Sequence, residues 1–202
     1  MSWLLPYRRR SIGYITRMLL FYHGIGILMM IVGTYVIEQI VPGYQEASVP
    51  LSIISVLSAG PIEEILFFGL PFYILGHHLL VLAGGVVWAM LHIFNTNTLE
   101  LNTLSYANWL FVIPSLFFSL RTWISGKGWF AILTHSAWNG VFFTLGCLVG
   151  EISCSVNLQG EDIVTSVNSL GLSAILIALI YILYKRKISE AKKDHRRLDF
   201  PA

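Results

Sequence analysis

The chain has 202 residues, of which 55% are hydrophobic and only 12% are charged, and its formal net charge is +2. Soluble domains contain roughly 25% charged residues, so this composition excludes an ordinary soluble protein and indicates an integral membrane protein. The apolar stretches are long and continuous rather than alternating in short segments, which favours a helical bundle over a β-barrel.

Six apolar spans fit the hydropathy, and we predict an all-α, polytopic membrane bundle that forms a single domain over residues 1–202. The expected spans are residues 12–41, 49–76, 78–95, 104–123, 128–149 and 166–184. The N-terminal segment resembles the start of a signal peptide, but it shows no small-residue cleavage site and is interpreted as a retained first helix. We expect the functional core in residues 49–149 and a basic tail in residues 185–202.

The basic residues indicate the orientation. All 13 Lys and Arg residues fall on one side of a six-span topology: before or at the start of the first span, between the fourth and fifth spans, and in the tail. The positive-inside rule makes this the cytoplasmic side, so both termini are predicted to be cytoplasmic. The basic tail is expected to contact the lipid bilayer rather than nucleic acid. A multi-pass protein of a prokaryotic plasma membrane is the expected localisation.

The second span contains two adjacent acids, Glu63 and Glu64, which are the only charged residues between Val49 and Leu75. A carboxylate in the hydrocarbon layer costs several kcal/mol, so an acid at this depth indicates a functional site. Either the two acids share a proton, or polar partners from other helices converge on them. The span also contains three prolines and is therefore not expected to be one straight helix.

Later spans supply the candidate partners of the acids. His92 lies in the third span, and His135 and Asn139 lie four residues apart on one face of the fifth. At about 1.5 Å per residue, these side chains reach a depth similar to that of Glu63. One such His or Asn alone is more often a packing hydrogen bond, but the whole set predicts a shared polar site. Weaker candidates are His23, His77, His78 and the group Asn95, Thr96 and Asn97.

This set of residues suits hydrolysis. A Glu beside a His can take a proton from water, and a His and an Asn on one helix face can both donate to an oxyanion. The result is a hydrolase without a Ser or Cys nucleophile. Glu63, His92 and His135 would also serve as ligands of a zinc ion that polarises the water. The sequence leaves both mechanisms open. The two cysteines, Cys147 and Cys154, are expected to be unpaired and inert.

The chain contains, in order, the motifs Glu63-Glu64-x-x-x-Phe68, Trp88-x-x-x-His92 and His135-x-x-x-Asn139. Together they resemble the three motifs of the CPBP family, which includes CAAX prenyl proteases and bacteriocin-processing or immunity proteins and is also called the Abi family. The resemblance extends over residues 60–140.

The resemblance implies a role for each matching residue. Glu63 would be the main general base, and His92 its partner in activating water. His135 and Asn139 would form the oxyanion site. Glu64 would orient Glu63.

Two positions depart from the family pattern. Trp88 stands where the family usually has Phe and would pack near the site. Phe68 replaces the motif's Arg, which leaves the acid pair without a cation in its own helix and implies altered substrate choice or reduced activity.

We therefore predict an intramembrane endopeptidase that hydrolyses a peptide bond of a membrane-associated protein or peptide. The alternative is a non-catalytic immunity or scaffold protein with the same fold. A proton or ion pathway is a weaker hypothesis, because the spans are mostly apolar outside the site. Haem ligation by two histidines would leave the acid pair unexplained.

Overall fold

The computed structural model describes residues 10–40, 53–75, 78–93, 103–149 and 160–198, and this part of the chain is all-helical. The elements in chain order are α1 (Ile12–Ile40), α2 (Ile53–Glu63), the π-helical segments π1 (Glu64–Gly69) and π2 (Pro71–Leu75), α3 (His78–Ile93), α4 (Thr103–Ile124), α5 (Gly128–Val149) and α6 (Gly160–Leu198). Each predicted span overlaps a helical unit, with π1 and π2 continuing α2, so the all-α prediction is confirmed. Helix α6 continues well beyond the predicted sixth span, so the first part of the basic tail is helical.

Three of these helical units are long and apolar enough to span a membrane. Within the described residues, the segments Ile12–Gly33, Ile53–Ile74 and Ile163–Lys187 are long and apolar enough to cross a bilayer, and two apolar helices, Leu79–His92 and Phe111–Ile124, are shorter. The chain is thus a helical membrane protein. The count of six spans and the cytoplasmic position of both termini stay predictions.

Several predicted features cannot be located. His77, Asn95, Thr96, Asn97 and Cys154 lie outside the described residues, as do the side chains of His78 and Cys147.

Two groups of helices meet around the segment that carries the acids. Helix α4 packs against α1 and α3, whereas α2 packs against α5 and α6. The π1 residues Ile65 and Phe68 are fully buried where these groups meet, while large apolar side chains such as Leu20 on α1 and Ile175 on α6 are exposed on the outside. An apolar outer surface suits lipid, and it leaves the acid pair facing the interior of the bundle.

The end of α2 is shaped by proline. Pro61 has no N–H group, so it cannot bond to the carbonyl of Leu57 as an ordinary helical residue would. The Ser136 hydroxyl on α5 donates to that carbonyl over 2.8 Å, and the Asn139 amide donates to the adjacent carbonyl of Val56 over 3.3 Å. Unpaired carbonyls are costly in a bilayer, so these bonds stabilise α2 against α5.

A glycine lets the same two helices approach closely. A Cβ atom added to Gly60 would lie 2.7 Å from the backbone nitrogen of Ser136 and 3.0 Å from the carbonyl oxygen of Ile132. These are backbone atoms that cannot move aside without displacing α5. The small residue at position 60 therefore sets the separation of α2 and α5 directly before the acid pair.

The helix widens at the acids. Segment π1 begins at Glu64, and the N–H of Leu70 bonds to the carbonyl of Ile65, five residues earlier. Short π segments inside α-helices are frequent at functional sites. Here the change from α to π geometry falls between Glu63 and Glu64. Glu63 contacts α3 and α5, whereas Glu64 contacts α4 and α5.

Candidate active site

Three nitrogen atoms surround one carboxylate oxygen of Glu63. The Trp88 indole Nε1 donates to Oε2 of Glu63 over 2.5 Å. Nε2 of His92 lies 3.4 Å from the same oxygen, and Nε2 of His135 lies 3.6 Å from it. Helices α2, α3 and α5 thus bring a carboxylate, an indole and two imidazoles to one point. The Glu63 side chain is 25% exposed and that of His92 34%, so this point is accessible.

The backbone fixes the orientation of His92. Its Nδ1 lies 2.9 Å from the carbonyl oxygen of Trp88, one turn earlier on α3. A carbonyl oxygen only accepts hydrogen bonds, so Nδ1 carries a hydrogen, and Nε2 of the neutral ring presents a lone pair. Nε2 of His92 and Oε2 of Glu63 are therefore two acceptors that face each other.

Glu64 has a different environment. Its side chain is only 2% exposed. Ser119 Oγ on α4 donates to Oε1 over 2.6 Å, Trp123 Nε1 on α4 donates to Oε2 over 2.8 Å, and Nδ1 of His135 lies 3.2 Å from Oε1. Three donors in a buried setting match what a carboxyl group needs inside a protein. Glu64 is thus a fixed anchor, whereas Glu63 is accessible.

His135 lies between the two acids. Its Nδ1 faces Glu64 and its Nε2 faces Glu63. Among the described residues, the ion pairs of both acids are with histidines rather than with Lys or Arg. A protonated His135 is therefore the group placed to balance the charge of the acid pair.

Phe68 and Asn139 lie apart from this cluster. Phe68 is fully buried, with its ring 5.9 Å from that of Trp88, and a Cβ on Gly85 would lie 2.7 Å from the Phe68 ring. Position 68 is thus an apolar packing position between helices. The Asn139 amide donates to Val56 on α2, as described above, so it is not in contact with either acid. An oxyanion role for Asn139 stays a prediction.

Sequence reasoning missed three hydrogen-bond donors. Trp88 was expected only to pack, yet it donates to Glu63. Ser119 and Trp123 were not singled out, yet both donate to Glu64. These last two residues are four apart and share one face of α4, so a polar pair at helical spacing in an apolar span was the available signal.

A zinc site formed by Glu63, His92 and His135 stays a prediction. No three His, Cys, Asp or Glu side chains in the described part of the chain form a metal-binding group. Oε2 of Glu63, the atom both histidines face, already accepts the Trp88 hydrogen bond.

One protein-family model matches part of the chain. The family model described as Type II CAAX prenyl endopeptidase Rce1-like matches residues 45–141, just under half of the chain. No curated protein matches the chain, and no solved structure matches it. The matched region contains all five residues expected to be catalytic, Glu63, Glu64, His92, His135 and Asn139. Over residues 45–141, the chain is therefore similar to the Type II CAAX prenyl endopeptidase Rce1-like family, in line with the three motifs that resemble the CAAX proteases.

Proposed function

We propose that this protein is an intramembrane glutamate endopeptidase that cleaves a membrane-associated peptide or protein. The observation that carries the proposal is the convergence of Nε2 of His92 and Nε2 of His135 on Oε2 of Glu63, at 3.4 and 3.6 Å. An accessible carboxylate beside an anchored imidazole is an arrangement suited to general-base catalysis.

Glu63 and His92 act on the attacking water. The attacking water donates a hydrogen bond to Oε2 of Glu63, with Nε2 of His92 3.4 Å from that oxygen, and the water oxygen points towards the substrate. Glu63 takes a proton from this water as the oxygen attacks the carbonyl carbon of the peptide bond. When the C–N bond breaks, Glu63 returns the proton to the leaving nitrogen, which departs as an amine and leaves a carboxylic acid product.

His135 stabilises the oxyanion that forms during the attack. As an imidazolium, which donates from both nitrogens, His135 is held by the buried Glu64 through Nδ1 and presents Nε2–H beside the reacting carboxylate. A donor fixed in this way needs little reorganisation as charge develops. Asn139 is the second proposed donor, and it must leave the carbonyl of Val56 to act. The 3.3 Å length of that bond is at the long end of the N–H···O range.

The substrate proposed here is a peptide anchored in the bilayer, reached from the cytoplasmic side of a six-span, multi-pass protein. The apolar outer surface supports contact with lipid. Single cysteines at Glu46 and Lys192, labelled with a membrane-impermeant reagent in intact cells, test the topology. Labelling of position 46 alone from outside is expected, and labelling of both positions from the same side contradicts six spans.

A cleavage assay in detergent with quenched membrane-peptide substrates tests the proposed function. Wild type is compared with Glu63→Gln, His135→Ala and, as a control, Lys187→Gln on the exposed part of α6, each with and without chelator. Cleavage by wild type and the control but by neither site variant supports the proposal. Inhibition by chelator that added zinc reverses contradicts the metal-free mechanism.

Phe68 supports a second candidate, a non-catalytic immunity or scaffold protein with the same fold. The motif's Arg is replaced here by a fully buried apolar side chain. An immunity or scaffold function would require the fold but not Glu63 as a general base. Biological function that survives Glu63→Gln would favour it over the protease.

A further inference from the structure

His23 is a buried polar residue that the proposed mechanism does not use. It lies on α1 with 9% of its surface exposed, and the rings of Phe118, Trp138 and Phe111 contact it edge-on at centroid distances of 4.9, 5.5 and 5.9 Å. Its Nδ1 lies 3.2 Å from the carbonyl oxygen of Leu19. Because that oxygen only accepts, Nδ1 carries the hydrogen, and Nε2 of the neutral ring is an acceptor.

A cavity of about 30 Å³ separates His23 from the acid site. A water molecule needs a cavity of at least roughly 10–15 Å³ and two to four polar partners. The size of this cavity meets the first requirement. The second is met by polar groups of a largely apolar lining, among them His23 and Ser119.

We propose that this cavity binds one structural water molecule, which links His23 to the Glu64 anchor and makes His23 a positioning residue of the site. The hydrogen-bond directions are consistent with one chain. Ser119 gives its hydroxyl hydrogen to Glu64 over 2.6 Å, which leaves its oxygen lone pairs free to accept. The water then donates one hydrogen to Nε2 of His23 and the other to Oγ of Ser119.

The link acts on His135 through Glu64. A water that donates to Ser119 polarises the hydroxyl and strengthens its bond to Glu64, because hydrogen bonds in a chain reinforce one another. Glu64 in turn holds Nδ1 of His135. The effect of this link on catalysis rests on the proposed function. The binding of the water does not depend on that function. His23 touches no substrate, so its loss is expected to lower kcat and leave KM unchanged.

The first test uses four variants in the cleavage assay. His23→Phe keeps an aromatic ring but removes the acceptor, and we expect kcat to fall by about three- to tenfold. His23→Gln retains an acceptor and is expected to restore most of that loss. Ala131→Val fills the cavity from α5, where Ala131 is 1% exposed and lines the cavity. Val81→Ile is the control for overpacking, since Val81 is fully buried in α3 away from the cavity.

If Ala131→Val and His23→Phe both disrupt the same water, their effects on kcat should not add. Ala131→Val should lower kcat as His23→Phe does, and the double variant should be no worse than either single variant. Additive losses, or an equal loss in Val81→Ile, overturn the proposal.

The second test does not depend on cleavage. ¹⁵N-histidine-labelled protein in micelles is expected to show His23 with its hydrogen on Nδ1, and Ala131→Val should shift the ¹⁵N resonance of Nε2 as its hydrogen bond is lost. Val81→Ile should leave that resonance in place. An Nε2 signal unmoved by Ala131→Val overturns the bound water. If wild type cleaves nothing but the resonance shifts, the proposed function fails and the water site stands.

Discussion

The indole of Trp88 donates a hydrogen bond of 2.5 Å to the same carboxylate oxygen of Glu63 that both histidines face. The indole comes from α3, one helical turn before His92, and the Trp88 carbonyl also anchors the His92 ring. One residue therefore orients both the general base and its partner. This relationship gives position 88 a polar function that an aromatic packing residue would not need.

We expect Trp88→Phe to fold normally and to lower kcat about tenfold. The substitution keeps an aromatic ring against Phe68 but removes the donor to Glu63, and hydrogen bonds to charged groups contribute about 1.5–3 kcal/mol. Trp129→Phe is the matched control, because Trp129 is about half exposed and lies outside the site. Steady-state kinetics and thermal unfolding in detergent measure both effects. Unchanged kcat in Trp88→Phe would mean that the bond does not orient the base.

Changing each acid to its amide should have a different effect at each position. Glu63→Gln should abolish cleavage, with a loss of about 10³-fold or more, but should hardly change the melting temperature, because Glu63 is partly exposed. Glu64→Gln should lower the melting temperature clearly, since a charged acceptor of three buried donors becomes a poorer one, at about 1–3 kcal/mol. Equal melting temperatures for the two variants would contradict the division into a reacting acid and an anchor.

Asn139 can be tested for its two possible roles. If it acts only on the carbonyl of Val56, Asn139→Ala lowers stability by about 1 kcal/mol and reduces kcat in proportion to the folded fraction. If it also donates to the oxyanion, kcat falls by a further factor of about 10²–10³ in fully folded protein. Ser136→Ala, which removes the neighbouring bond to Leu57, is the control for the structural part. We expect the larger loss of kcat for Asn139→Ala.

Restoring the family's Arg at position 68 should not improve the enzyme. Phe68 is fully buried against Gly85 and Trp88, so Phe68→Arg places a long charged side chain in a space shaped for an aromatic ring, and burial of a charge without a prepared partner destabilises by several kcal/mol. Phe68→Leu is the control for lost volume. A folded, more active Phe68→Arg protein would show instead that the guanidinium reaches the acid pair.

Gly60→Ala should be strongly destabilising even though Ala favours helix. An added methyl meets the α5 backbone at Ser136 and Ile132, so α2 and α5 must separate beside the acids. Gly171→Ala on α6 is the matched control, because nothing lies within 4 Å of its added Cβ, and we expect it to be neutral or stabilising by up to about 1 kcal/mol. Comparable melting temperatures for the two variants would rule out the close helix contact.

Much of the architecture was predictable from sequence because hydropathy is a local property. Continuous apolar stretches interrupted by loops place helices close to where α1 to α6 are found. A lone acid pair in an apolar span likewise requires polar partners, and His92 and His135 were identified because polar side chains are conspicuous in such spans. Asn139 was expected at the same point, but its amide reaches only Val56 in this structure.

The sequence alone thus determined a helical membrane protein with Glu63, Glu64, His92 and His135 as a shared polar site, because burying these groups in lipid without one another is too costly. Only the tertiary structure decided which acid is accessible and which is buried, that Trp88 and Ser119 donate to them, and that Phe68 packs away from them. These distinctions depend on helix rotation and on the α-to-π change at Glu64. Both arise from packing between helices distant in sequence, which no local pattern encodes.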